Sequence, residues 1–241
     1  MIGDAISFLF TGANWSGSNG MLVQLLQQLL LTITALVVAL AVGLPIALSL
    51  GHLGRGGFLA INISNVGRAV PTFAVLVLLS VGPSWGTAEL GPYGRAGLAT
   101  LLSLVLFALP PIITNSYVGV REVNKEVVEA ARGMGMSGPQ LFFGVELPLA
   151  MPLITTGIRL ALVQVWATAT IAALVAGPGL GNVITAGFYR SDYGKGLGGA
   201  ILVAVIALVL EGIAAIVQRW SDPRARADRR ATAYVVAQAA T

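Results

Sequence analysis

The sequence predicts an all-α polytopic membrane protein with about five transmembrane helices. Charged residues make up only 10% of the 241 residues and hydrophobic residues 56%, whereas an ordinary soluble domain is about 25% charged. The apolar residues also fall into five runs long enough to cross a bilayer. Together these exclude a soluble enzyme of the usual kind, and a mean hydropathy of +0.85 excludes a disordered chain. The net charge of +4 and pI of about 9.9 would suggest nucleic-acid binding in a soluble protein. Here the basic residues gather in short gaps between the runs and in a tail from Arg219 to Arg230, the pattern of membrane orientation and surface charge, and no nucleic-acid-binding motif is present. The absence of cysteine excludes disulfides and thiolate metal sites.

A span needs about 20 mostly apolar residues, and the expected spans are residues 21–50, 58–82, 96–118, 149–176 and 196–217. Residues 1–20 are expected as an external tail, 21–218 as the membrane domain and 219–241 as a basic cytoplasmic tail. The second span is the weakest, with Asn62, Ser64, Asn65 and Arg68 in its first half and Pro71 after them. It is kept because the apolar run 69–81 is unbroken but too short alone. Pro45 and Pro71 are expected to kink or locally break their helices, a defect that neighbouring helices can repair. The first 54 residues contain no Lys or Arg, which places the N-terminus outside and, after five spans, the C-terminus in the cytoplasm. In that topology nine basic residues lie inside, three lie outside (Arg95, Arg190 and Lys195) and two fall within spans, in keeping with the positive-inside rule.

The cytoplasmic gap 119–148 is too long for a tight connection between helices. It carries helix-forming stretches at 123–132 and 140–147. Between them a glycine-rich break leads into Ser137-Gly138-Pro139-Gln140, which has the form of a capping box. Within the gap stand Glu129, Ala130 and Ala131, then three residues and Gly135, then nine residues and Val145, Glu146, Leu147 and Pro148. Small residues at 130 and 131 let a partner approach closely, and Gly135 can take the left-handed conformation that ends a helix. Glu129 either contacts a partner or caps nearby backbone. Pro148 is expected to start the next span, where its missing N–H costs nothing.

This spacing resembles the E-A-A loop, E-A-A-x3-G-x9-I-x-L-P, of permease subunits in binding-protein-dependent ABC importers, with Val145 in place of isoleucine. Four further stretches, at 70–75, 129–136, 146–152 and 177–181, look like the osmoprotectant branch, whose members serve glycine betaine, choline and carnitine. In place of the Gly-Ala-Gly-Gly-Leu-Gly often seen there, this chain has Ala176-Gly177-Pro178-Gly179-Leu180-Gly181. The resemblance implies the type I ABC importer permease fold in a bacterial inner membrane, and a non-catalytic subunit. It implies as partners two cytoplasmic ATPase subunits, a second permease subunit (identical or related) and an extracytoplasmic solute-binding protein. ATP and magnesium would be held by the ATPase, with no cofactor in this chain. It assigns ATPase coupling to Glu129, Ala130, Ala131, Gly135, Leu147 and Pro148, and an outer gate to Gly177, Gly179 and Gly181. The alternatives are a permease for amino acids or another small solute, and a passive channel, for which no filter ring or pore charge series is evident.

Two other patterns are weaker. Residues 133–138 match G-x-G-x-x-G, but no strand precedes them and they lie inside the better-fitting loop. The lone His52 falls in a cytoplasmic turn without the partners of a metal site. Ionisable residues within spans are candidates by default: Arg68, which either lines a pathway or snorkels, and Arg159 and Glu211. At 1.5 Å per residue, Arg159 lies about 16 Å beyond Pro148 and Glu211 about 12 Å before Arg219. Their heads can therefore reach one depth, and a pair between the fourth and fifth spans is expected. The alternatives are that Glu211 is protonated, snorkels or faces a partner, and that Arg159 bonds backbone carbonyls. Pro71, Phe73 and Trp166 complete the pathway candidates; Phe73, Trp166 and Tyr117 either face a pathway or pack.

Overall fold

The computed structural model describes residues 1–58, 62, 69–81 and 92–221. Its helices are α1 (Ile2–Phe10), α2 (Met21–Leu53), α3 (Thr72–Val81), α4 (Arg95–Arg121), α5 (Lys125–Gly133), α6 (Gly138–Leu141), α7 (Leu147–Ile171), α8 (Gly181–Tyr189) and α9 (Tyr193–Ser221). Four stretches are long and apolar enough to cross a membrane: Met21–Leu53, Ala96–Arg121, Gly138–Val175 and Tyr193–Ser221. They correspond to four of the five expected spans. Of the remaining one, the described part includes the ten-residue α3, with Pro71 immediately before it rather than within a helix.

The core is a bundle of α2, α4 and α7, closed by Leu31, Leu104, Ile112 and Val165 with several alanines between them. Lipid tails are as apolar as leucine, so close approach of backbones does much of the work of helix association in a membrane. α2 provides it with a stripe of small buried residues four apart: Ala35, Ala39, Gly43, Ala47 and Gly51. A Cβ on Gly51 would stand 2.9 Å from the Val120 Cβ, and one on Gly43 would stand 3.2 Å from Ile112 and Leu109. α7 mirrors this with Gly157, Ala161, Val165 and Ala169, and a Cβ at Gly157 would meet the Pro111 carbonyl oxygen at 2.7 Å. The opposite face of α2 exposes Leu22, Leu26, Leu30, Ile33 and Val37, as a lipid-facing side requires.

Three expectations are refined. The fourth span belongs to a longer helical stretch, which starts at Gly138 and runs to Val175 over 38 residues. Pro148 stands in the first turn of α7, as expected, and the helical path continues back through the turn before it. It has no N–H to donate, so the Gly144 carbonyl lacks that α-helical partner. A π-helical turn at Phe142–Glu146 precedes it, a wider turn of the kind that often marks functional positions. Second, residues 1–20 are not simply a tail: α1 lies against α9 and buries Ala5. Its end is closed by the Asn14 and Trp15 side chains, which donate to the carbonyls of Phe8 (2.9 Å) and Leu9 (2.7 Å). Third, the glycine-rich outer gap folds into α8, and the last helix starts at Tyr193, three residues before the expected 196.

Candidate functional site

The loop that carries the E-A-A pattern folds as a compact hairpin of α5 and α6. α5 is N-capped by Asn124, whose side-chain oxygen accepts from Glu126 N at 2.9 Å. It ends in a Schellman motif, with Gly135 N donating to Arg132 O (2.9 Å) and Met136 N to Ala131 O (3.2 Å). Gly135 sits at φ 84°, and nothing lies within 4 Å of where its Cβ would be. Glycine is required there for conformation, not for space. The Gln140 side chain returns to Ser137 N at 2.9 Å and accepts from its hydroxyl at 3.0 Å, so the expected capping box forms.

The hairpin divides its motif residues between two faces. Ala131 is buried, while Glu129, Ala130 and Gly135 are exposed and Leu147 and Pro148 are half-buried. Among the described residues the exposed Glu129 carboxylate caps no backbone group. Val127, Met134, Met136 and Phe143, on the hairpin and the turn that follows it, are apolar and exposed. Glu146, by contrast, is 5% exposed and accepts a 2.5 Å hydrogen bond from His52 Nδ1.

Halfway along the spans, Arg159 and Glu211 meet as expected. Arg159 Nε donates to Glu211 Oε1 at 2.5 Å and Nη2 reaches the same oxygen. Arg159 Nη1 donates to Gln218 Oε1 at 3.0 Å, and Gln218 Nε2 donates to Thr156 Oγ1 at 2.8 Å. Thr156 then donates to the Pro152 carbonyl at 2.8 Å. The pair is not buried as expected: the two side chains keep 37% and 33% of their surface. They line a hollow of about 540 Å³ between α7 and α9, together with Leu160, Val163 and Leu208.

At the far end of α7, the glycine-rich turn is packed without slack. A Cβ would come within 2.7 Å of Thr100 Oγ1 at Gly177 and within 2.1 Å of the Thr170 carbonyl oxygen at Gly181. Gly179 lies at φ 130° against Gln28. Ala176 precedes them in the left-handed region, at φ 59°.

A family model described as the binding-protein-dependent transport system inner membrane component matches residues 39–227. The chain belongs to that family. Among its relatives, the carnitine transport permease protein OpuCB of Listeria monocytogenes is 39% identical over 153 residues, covering 63% of this chain and 65% of that protein. The glycine betaine/carnitine/choline transport system permease protein OpuCB of Bacillus subtilis is 29% identical, covering 74% of this chain and 78% of that protein. The choline transport system permease protein OpuBB of the same organism is 31% identical over 74% of this chain and 77% of its own length. In the fold alone, the chain is similar to the MetNI methionine ABC transporter in an inward-facing conformation. The TM-score is 0.67 at 20% identity, over 83% of this chain and 95% of that one.

The remaining candidates of this inner membrane component divide as follows. Arg68 lies outside the described residues. Phe73 is 46% exposed on α3. Trp166 is 1% exposed, packed with Met21, Leu180 and Val183, and its indole donates to the Val203 carbonyl at 3.2 Å. It takes the packing alternative, since a fully enclosed ring faces no pathway. Tyr117 is likewise buried.

Two polar residues that the sequence did not single out hold the sites in place. Gln218 joins Arg159 to Thr156. Gln28 is wholly buried in α2; it accepts from Leu180 N at 2.8 Å and donates to Thr170 Oγ1 at 2.9 Å, tying the first span to the glycine-rich turn. A glutamine inside an apolar run was the available signal, because a buried amide needs partners.

Proposed function

We propose that the chain forms half of the membrane pathway of an ATP-driven importer of osmoprotectants of the glycine betaine, choline and carnitine class. The observation that carries the coupling role is the hairpin. Its rigid Schellman end presents Glu129, Ala130 and an apolar patch outward, and its second arm runs without a break into α7. Two cytoplasmic ATPase subunits, holding ATP and magnesium, dock on residues 124–148. Their closure tilts α7 and alternates access. A second permease subunit, identical or related, completes the pathway, and an extracytoplasmic solute-binding protein docks near the Gly177, Gly179 and Gly181 turn. The Arg159–Glu211 hollow lies on the pathway wall, because a charged pair one-third exposed at mid-span is poorly placed against hydrocarbon.

The substrate class is supported by the named substrates of the relatives, and an apolar pathway with a few aromatic faces suits a weakly hydrated quaternary ammonium. Likeness to amino-acid transporters is at 18–20% identity and supports the fold only. Uptake of labelled glycine betaine, choline and carnitine by the importer reconstituted with its ATPase and binding protein tests the assignment. ATP-dependent uptake of at least one is expected; uptake of amino acids alone would transfer the chain to the other substrate class.

The topology proposed is an inner-membrane protein with the N-terminus outside and the C-terminus in the cytoplasm. A reporter active only in the cytoplasm should be active when fused after Thr241 and silent when fused before Met1. The reverse pattern would put the hairpin on the wrong side for ATP.

A further inference from the structure

The hairpin is covalently continuous with α4 and α7, but α2 reaches it only through side chains. One of these contacts stands out. His52, in the last turn of α2, bonds through Nδ1 to Glu146 Oε2 at 2.5 Å across 94 residues of sequence. Its ring also stands edge-on to Phe142, with centroids 5.3 Å apart, and its Nε2 lies 4.0 Å from where a Cβ on Gly138 would be. His52 therefore touches the π-helical turn at Phe142 and the buried carboxylate at the end of that turn. The turn lies where the second arm of the hairpin becomes α7 and departs there from α geometry, so it is the natural point of give between hairpin and span. A hollow of about 250 Å³ opens beside the pair, and Arg121, Lys125, Glu129 and Arg132 line it from α4 and α5.

We infer that His52 and Glu146 form a positioning pair that joins α2 to the π-helical turn, so that movement of the hairpin carries the first span together with α7. Glu146 occupies an unspecified position of the E-A-A pattern, between Val145 and Leu147, and its burial has no other evident purpose. A hydrogen bond to a buried charge is among the stronger polar contacts available, and its loss strands the carboxylate. The inference rests on the coupling role proposed for the hairpin.

The absence of native cysteine permits a direct test in the assembled importer. Spin labels at Leu53→Cys and Gly144→Cys, both exposed positions and the second with nothing within 4 Å of its Cβ, report the separation of α2 from the turn with and without ATP. One unchanged separation is expected in the parent. His52→Ala should give an ATP-dependent, broadened separation, and uptake of glycine betaine per ATP hydrolysed should fall about ten-fold, the factor matching loss of a hydrogen bond to a charged group. His52→Gln, whose amide can still donate to Glu146, should recover most of both. A separation that changes with ATP in the parent, or one that stays fixed in His52→Ala, overturns the inference. So does a loss of uptake in His52→Ala that only tracks loss of assembled complex. Gly135→Val assayed in parallel separates the two ideas: if it uncouples while His52→Ala does not, the joint alone fails, and if neither uncouples, the hairpin role fails with it.

Discussion

Replacing Gly135 with valine is expected to abolish ATP-driven uptake while the long helices stay folded in the membrane. Gly135 stands at φ 84°, where a β-branched residue pays about 1–3 kcal/mol of backbone strain. The two Schellman bonds from Gly135 N and Met136 N fix the angle at which α5 meets α6, and they cannot survive a change of that dihedral. Because nothing surrounds the position within 4 Å, the damage stays local to the hairpin. Gly133→Ala is the control. It also has open space around its Cβ but closes α5 without a left-handed dihedral, and alanine favours the helix, so uptake should be unchanged. Parental uptake by the Gly135→Val complex, with ATPase bound, would remove the hairpin from the coupling path.

The second large effect is expected at Arg159 and Glu211. Glu211→Leu leaves a guanidinium at mid-span with only Gln218 as partner. Arg159→Leu leaves a carboxylate whose other oxygen, Oε2, is already buried without a hydrogen bond. Breaking one half of a charge pair costs more than removing both halves, because an uncompensated charge remains. Each single variant should therefore lower the thermal midpoint in lipid nanodiscs, and the double variant should recover part of the loss. Uptake should stay low in all three if the hollow lies on the pathway wall. Strictly additive effects on the midpoint would mean that the two groups act independently.

Much of this protein is local in origin and so could be read along the chain. Hydropathy depends on each run by itself, and it located four of the long helices to within a few residues at most ends. Turn chemistry is local too: Gly135 needs its left-handed dihedral because of its neighbours, and Ser137 meets Gln140 because three residues separate them. Pro148 marked the first turn of α7, but not that the helical path continues back through a widened turn to Gly138. That widening at Phe142–Glu146 is decided by how the turn is held.

The sequence by itself determined a membrane-spanning helical permease with an E-A-A hairpin and two charges at matching depth in its last two spans. Only the tertiary structure decided what those elements touch. The small-residue stripe from Ala35 to Gly51 was present at helical spacing, but its partner α4 is set by the closure of the bundle. Gln28 meets Leu180 N across 152 residues, and His52 meets Glu146 across 94. Such pairs depend on the crossing and depth of whole helices, which are sums over many weak packing contacts, and no single stretch of sequence contains them.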